Sequence, residues 1–166
     1  METDPGPEID PREFRNTLGR FASGVTVVTT RLGDNIHGMT VSAFMSVSLD
    51  PPLVGISVDN SASMNALLPQ TSRYGVSILA RGQDTLSQHF AGQPQEGLES
   101  PFGEENGIPL IRGALAHLAC RVVDTCPGGD HTIYIGRVEY LSYRQGVEPL
   151  LYFTGGYRSL APLPDA

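Results

Sequence analysis

The chain has 166 residues, of which 40% are hydrophobic and 17% are charged, a composition typical of one globular domain rather than of a disordered chain. Its formal net charge of −7 argues against a nucleic-acid partner, because proteins that bind a phosphate backbone carry a basic stripe. No apolar run approaches the roughly 18 residues of a membrane span. The polar, acidic beginning lacks the pattern of a secretion signal, so we expect a cytoplasmic protein without a membrane partner.

The first predicted element is a helix. Residues 1–9 are expected to form a flexible arm and residues 162–166 a loose tail, with a single domain at residues 10–161 between them. Asp10 is a good N-cap, Pro11 suits the first helical position and Glu13 completes a capping-box-like arrangement. We expect this helix to end at Gly24.

A series of short strands is predicted after the helix, interrupted by two short helices that start near Ser61 or Ser63 and at Asp84. The strand-like runs are Val25–Arg31, a run from Ile36, Leu53–Val58, Tyr74–Leu79, Leu115–Asp124, Thr132–Tyr143 and Leu150–Phe153. Strands and helices do not alternate, and neither GxGxxG nor GxxxxGK[ST] occurs, which argues against a parallel nucleotide-binding sheet. A closed antiparallel barrel with peripheral helices fits this order better, because closure removes exposed strand edges.

Cysteines and most histidines give no sign of a metal site. Cys120 and Cys126 have no second pair, so we expect free thiols, with Cys120 in the core. His37, His89 and His117 show no HxxxH spacing, and His117 on an apolar strand is interpreted as structural.

A polar stretch at residues 37–52 is the first candidate for a binding site. If it were one unbroken strand, Thr40, Ser42, Ser46 and Ser48 would share a face, because alternate side chains of a strand point the same way. Such a row of hydroxyls can bind a planar heteroaromatic ring and a phosphate without positive charge. The alternative is a hydrated Ser/Thr face on an ordinary strand.

The stretch 38–52 closely resembles the signature of the short-chain flavin reductase family, the reductase components of two-component flavin monooxygenases. The resemblance spans about residues 13–160 and includes four further segments in the same order, at residues 14–29, 87–92, 129–131 and 151–158. It implies a mainly β fold, the antiparallel split β-barrel that binds FMN or FAD, with a few peripheral helices.

The resemblance also implies flavin contacts, which come from four parts of the chain. The residues expected around the isoalloxazine and ribityl portions are Met39, Thr40, Val41 and Ser42. Those expected at the ring edge are Ser46, Val47 and Ser48. Ser61 and Ser63, at a helix start, are expected to contact the phosphate. Ser87 and Phe90 resemble a contact near the phosphate or adenylate, or alternatively a helix-start hydroxyl and a core phenylalanine. Many relatives have a polar residue where this chain has Ala43, so one hydrogen bond to the flavin is expected to be missing or supplied by backbone.

Two further residues have implied roles. His131 would lie beside the nicotinamide and orient it, with an exposed turn histidine beside Asp130 as the alternative. Tyr157 would form an aromatic wall near the flavin, or else an anchor in a dimer interface.

The predicted function is an NAD(P)H-dependent flavin reductase, a homodimer that transfers hydride from NADH or NADPH to FMN or FAD. A partner flavin-dependent oxygenase would receive the reduced flavin. One alternative is an enzyme like pyridoxamine-phosphate oxidase, which should bind phosphate through several Arg or Lys, whereas Thr40–Ser48 contains none. The others are a non-enzymatic flavin-binding or haem-handling module and an interaction-only β domain.

Overall fold

The computed structural model describes residues 6–164. Residues 6–9 and 162–164 are exposed and lack regular structure, and the remainder of the expected arm and tail lies outside the described residues. Within this range there are three helices: α1 (Pro11–Leu18), α2 (Ser63–Thr71) and α3 (Asp84–Phe90). The strands are β1 (Ser23–Gly24), β2 (Thr26–Leu32), β3 (Asn35–Val41), β4 (Phe44–Ser48), β5 (Leu53–Asp59), β6 (Arg73–Ile78), β7 (Phe102–Glu105), β8 (Ile108–Ile111), β9 (Ala116–Gly128), β10 (His131–Tyr143), β11 (Leu151–Phe153) and β12 (Gly156–Arg158).

Seven strands form one antiparallel sheet in the order β3-β2-β6-β9-β10-β5-β4. β3 and β4 are consecutive in sequence, yet they are the two edges of this sheet. Only Ser42 and Ala43 join them, so the sheet must curl until its edges approach one another. The two edges are not paired with each other in the sheet order, which leaves a seam. The fold is therefore a split barrel, as the resemblance implies, and full closure of the barrel was a wrong expectation.

Two hydrophobic clusters lie on opposite faces of the sheet. Val28, Ile56 and Tyr74 belong to the larger one, and Val27 and Leu79 belong to the smaller one. Val27 and Val28 separate in this way because successive side chains of a strand point to opposite faces. Both faces of β2 are therefore buried, one against each hydrophobic cluster.

Helix α1 begins as predicted but ends earlier. Asp10 caps it by accepting hydrogen bonds from the backbone N–H groups of Arg12 and Glu13, at 2.7 and 3.2 Å. The helix stops at Leu18, because the carbonyl of Gly19 accepts from Thr154 N at 3.0 Å and the chain continues into β1, which contains Gly24. The expectation that the helix extends to Gly24 was wrong. No residue of α1 is buried.

The predicted strands and short helices are all present, with ends shifted by a few residues. Prediction missed the β7–β8 hairpin and the two short strands β1 and β12. In residues 6–164 no helix has the length and apolar character needed to cross a membrane.

A candidate cofactor-binding groove at the seam

Three adjoining hollows, together called the groove, lie around the corner between β3 and β4, the end of helix α1 and the β11–β12 hairpin. The apolar hollow, of about 520 Å³, is lined by Leu18, Phe21, Ser23, Ser42, Ala43, Phe44, Met45, Ser57 and Ile133. The hydroxyl hollow, of about 200 Å³, is lined by Val25, Thr40, Ser42, Ser87, Gln88, Ala91, Gln93, Tyr152 and Tyr157. The arginine hollow, of about 390 Å³, is lined by Arg15, Asn16, Gly19, Arg20, Tyr152, Thr154 and Gly155. Ser42 borders the first two hollows and Tyr152 the last two, so the three hollows are neighbours.

The apolar hollow is built by the corner between β3 and β4. Ser57 N donates to the carbonyl of the corner residue Ala43 at 3.1 Å, and Ser57 pairs with Ile133 in the register of β5 and β10, so these two residues continue the wall from the corner. Phe21 also lines the hollow, on a side that is open to solvent, because its side chain is 82% exposed. Mainly apolar walls with a few hydroxyl groups are typical of sites for flat aromatic ligands.

Hydrogen bonds on Ser87 organise the hydroxyl hollow. Thr40 Oγ1 donates to the Ser87 carbonyl at 2.7 Å, and Tyr157 Oη donates to Ser87 Oγ at 2.8 Å. The Tyr157 ring meets the Tyr152 ring edge-on, with 5.5 Å between centroids. The structure therefore brings together Thr40, Ser42, Ser87 and Tyr157, four of the predicted site residues.

The predicted row of four hydroxyls on one strand does not form, because the strand is not continuous. β3 ends at Val41 and β4 begins at Phe44, so Thr40 lies on one edge strand and Ser46 and Ser48 on the other. A register shift between Ser46 and Ser48 separates these two as well. Ser46 and Val47 are exposed, and with Ser48 they stay predicted contacts on the β4 side of the seam.

Three of the predicted flavin contacts point into the protein. Val41 is 4% exposed in the larger cluster, and Met39 packs against that cluster. Phe90 packs against the smaller cluster and over Gly38, where an added Cβ would lie 2.7 Å from its ring. Contacts from Met39 and Val41 to a flavin would therefore be made by backbone. Phe90 packs as a core residue, and its predicted contact stays a prediction.

His131 lies at the start of β10, next to the apolar hollow. Its ring Nδ1 is 2.7 Å from Asp130 Oδ1, and its backbone pairs with Asp59 of β5. Ile133, two residues later, lines the apolar hollow, and residues i and i+2 of a strand share a face. The half-buried His131 side chain is therefore on the strand face that borders this hollow.

Asp59 is an acidic neighbour of His131 that sequence analysis missed. Its Oδ1 accepts hydrogen bonds from Ser61 N and Ser61 Oγ, both at 2.7 Å. These two bonds, and secondarily the charge of His131, lower the pKa of the Asp59 carboxyl. The strand register that pairs Asp59 with His131 was the missing information.

Predicted phosphate contacts Ser61 and Ser63 are both exposed at the start of α2. Its N-cap, Ala62, makes no side-chain capping bond, and no acidic residue lies in its first turn. The hydroxyl of Ser61 is already bonded to Asp59. Ser63 and the first backbone N–H groups of the helix are thus the freer donors.

Buried groups elsewhere have structural roles. Burial raises the pKa of the Cys120 thiol to about 12, so it stays protonated in the core, as predicted. His117 Nε2 lies 2.7 Å from the Ile111 carbonyl, which confirms the structural interpretation. In residues 6–164 there is no group of three or more His, Cys, Asp or Glu side chains that could hold a metal ion.

A family model described as the flavin reductase like domain matches residues 18–161. The chain belongs to this family. The flavin reductase-like chain is 52% identical to an NADH-dependent flavin reductase from a Rhodococcus species over 93% of this chain and 89% of that protein. It is 46% identical to the reductase component of 4-hydroxyphenylacetate 3-monooxygenase from Thermus thermophilus, over 89% of this chain and 95% of that protein. The solved structure of flavin reductase PheA2 in its native state superposes with a TM-score of 0.89 at 45% identity, covering 93% of this chain and 100% of that one.

Proposed function

We propose that this chain is an NAD(P)H-dependent flavin reductase, which transfers hydride from NADH or NADPH to FMN or FAD. The observation that carries the proposal is the apolar hollow at the seam, which adjoins the hydroxyl hollow at Ser42. A flat ring fits the first and a hydroxylated chain fits the second. The Rhodococcus relative, named as an NADH-dependent flavin reductase, supports the same assignment.

The groove has the donors that a flavin needs. Ser42 lies between the two hollows, where the ring meets the ribityl chain, and Tyr157 is the aromatic wall of the hydroxyl hollow. On the β4 side of the seam, we propose that Ser46, Val47 and Ser48 contact the ring edge, while Ser63 and the start of α2 are donors for the phosphate. The flavin and the nicotinamide supply the hydride chemistry, and the protein supplies binding and orientation.

In this proposal His131 is the residue that orients the nicotinamide. Its ring lies on the strand face that borders the apolar hollow, and Asp130 limits its rotation through the contact at Nδ1. A donor in that position can hold the carboxamide of the nicotinamide. Neither hollow contains a paired nucleophile and base, which agrees with a reaction in which side chains position rather than attack.

We also propose a homodimer whose product is passed to a flavin-dependent oxygenase. Phe14 and Leu18 on α1 and Leu49 after β4 are 52, 55 and 92% exposed, which leaves apolar surface near the seam for a second copy. The Thermus relative, named as a monooxygenase reductase component, supports an oxygenase partner.

The test is oxidation of NADH or NADPH by the purified protein with added FMN or FAD, followed at 340 nm. We expect loss of absorbance that depends on both the flavin and the protein. If neither nicotinamide cofactor is oxidised, the proposal fails. Flavin that is bound tightly without such oxidation would instead indicate a non-enzymatic flavin-binding module.

A further inference from the structure

Two arginines line the arginine hollow, which lies beside both of the other hollows. Arg15 comes from the last turn of α1 and Arg20 from the segment just after it. The other residues that line this arginine hollow are Asn16, Gly19, Tyr152, Thr154 and Gly155, and none of them carries a carboxylate. The hollow is therefore cationic in a chain whose formal net charge is −7.

The backbone around the arginine hollow is firmly connected. Thr154 N donates to the Gly19 carbonyl at 3.0 Å, which attaches the β11–β12 turn to the end of α1. Thr154 and Gly155 have φ of 48° and 77°, as in a tight two-residue hairpin turn. Because this hydrogen bond connects the end of α1 with the β11–β12 turn, it fixes the backbone from which the Arg15 and Arg20 side chains extend.

Neither arginine is neutralised by a carboxylate in the described part of the chain. Arg31, Arg73, Arg81 and Arg121 each pair with a glutamate, whereas Arg15 and Arg20 are among the seven arginines that form no ion pair within residues 6–164. The nearby Glu13 accepts a hydrogen bond from Asn16 instead. Guanidinium groups suit phosphate oxygens, because their planar donors can make two parallel charge-assisted bonds.

We infer that the arginine hollow binds a phosphate group of a nucleotide cofactor, with Arg15 and Arg20 as its cationic ligands; this inference rests on the proposed function. The position of the arginine hollow supports it, because this hollow shares Tyr152 with the hydroxyl hollow and its Gly19 and Arg20 lie between Leu18 and Phe21 of the apolar hollow. A ligand whose ring or hydroxylated part occupies either neighbouring hollow can therefore extend its phosphate toward the two arginines. The phosphate can come from the flavin or from the nicotinamide cofactor.

The experiment compares the double variant Arg15→Gln/Arg20→Gln with Arg12→Gln. Arg12 is an exposed arginine on the same helix that lines none of the three hollows, so its variant removes one positive charge without altering the groove. Dissociation constants of FMN, FAD and riboflavin are measured by fluorescence, and KM values for NADH and NADPH at 340 nm. In the double variant we expect at least one phosphate-bearing ligand to bind about tenfold more weakly, while riboflavin is unaffected.

The ligand that weakens identifies the source of the phosphate. FMN and FAD weakened together would indicate the phosphate next to the ribityl chain, and the proposed site of that phosphate at Ser63 and the start of α2 would then be wrong. Weakening of FAD alone would indicate its diphosphate, and a raised KM for NADH or NADPH would indicate the nicotinamide cofactor. An Arg15→Lys/Arg20→Lys variant should recover part of the loss, because the charge is retained.

Two results would overturn the inference. One is that every phosphate-bearing ligand behaves as in Arg12→Gln. The other is that riboflavin weakens by the same factor, since that would indicate a changed groove rather than a lost charge. Failure of the proposed function is a separate result, because it would appear as no NADH or NADPH oxidation by the unaltered protein, and the fluorescence comparison would still be valid.

Discussion

Ser87 connects three separate elements of the structure at the hydroxyl hollow. It lies buried in α3, its carbonyl accepts from Thr40 of β3, and its hydroxyl accepts from Tyr157 of β12. Since the accepted bonds leave the Ser87 hydroxyl hydrogen free, this side chain can still donate to a ligand. The hollow is thus held in shape by hydrogen bonds that remain compatible with binding.

His131→Ala tests the role of the histidine beside the apolar hollow. We expect kcat/KM for the nicotinamide cofactor to fall about tenfold, because one hydrogen bond to the bound cofactor is lost, while the dissociation constant of the flavin stays unchanged. Steady-state rates at 340 nm and flavin fluorescence measure the two quantities. The control is His37→Ala, a half-buried histidine of β3 that lines none of the three hollows. Unchanged nicotinamide turnover in His131→Ala would show that the residue is only a turn histidine.

The positions of the strands were easier to predict from the sequence than the partners with which each strand pairs. Runs rich in Val, Ile and Thr predict β2, β5 and β10, because β-branched side chains favour strands. The break at Ser42 and Ala43 was missed, because local pattern does not show that β3 and β4 pair with different partners. That break forms the corner of the apolar hollow.

Arg15 and Arg20 were missed for a related reason. They are five residues apart in a chain without a basic cluster, so composition gives no signal. The hydrogen bond between Gly19 and Thr154 and the pairing of β1 with β11 place them beside Tyr152. By contrast, Thr40, Ser42, Ser87 and Tyr157 were named from the resemblance, and the structure brings them into one hollow.

Gly136 is the position where β10 crosses closest over the buried ring of Tyr74. A Cβ at Gly136 would lie 2.1 Å from Tyr74 Oη and 3.0 Å from Cys120 Cβ. Gly136→Ala should therefore lower the free energy of unfolding by about 2 kcal/mol, since the core must shift to admit the methyl group. Urea denaturation measures this change.

Gly103→Ala in β7 is the matched control for the Gly136 variant. There the nearest atom to an added Cβ is 3.5 Å away, on the flexible side chain of Arg112. This variant should keep its unfolding free energy within about 0.5 kcal/mol of the unaltered chain. Equal effects of the two substitutions would show that the close approach at Gly136 does not limit stability.

At the scale of the whole molecule, one group of exposed apolar side chains lies on helix α1 and at the apolar hollow, which Leu18 and Phe21 line. Helix α1 buries none of its residues, and Phe14, Leu18 and Phe21 remain 52, 55 and 82% exposed. Single exposed apolar residues are ordinary, whereas a contiguous set is typical of an interaction surface. The seam also holds the apolar hollow, so a second copy placed there would shield both the helix and a bound ring from water.

Sedimentation of the unaltered chain is expected to give about twice the monomer mass of 17.8 kDa. Phe14→Lys should shift the equilibrium toward monomer at low protein concentration, because a lysine in an apolar interface loses its hydration without gaining a partner. Leu163→Lys is the control, since Leu163 is 90% exposed in the C-terminal segment and lines none of the three hollows. Loss of flavin binding in step with dissociation would indicate that the second copy completes the groove. A chain that sediments as a monomer while it oxidises NADH would contradict the dimer, and the exposed face of α1 would then belong to another partner.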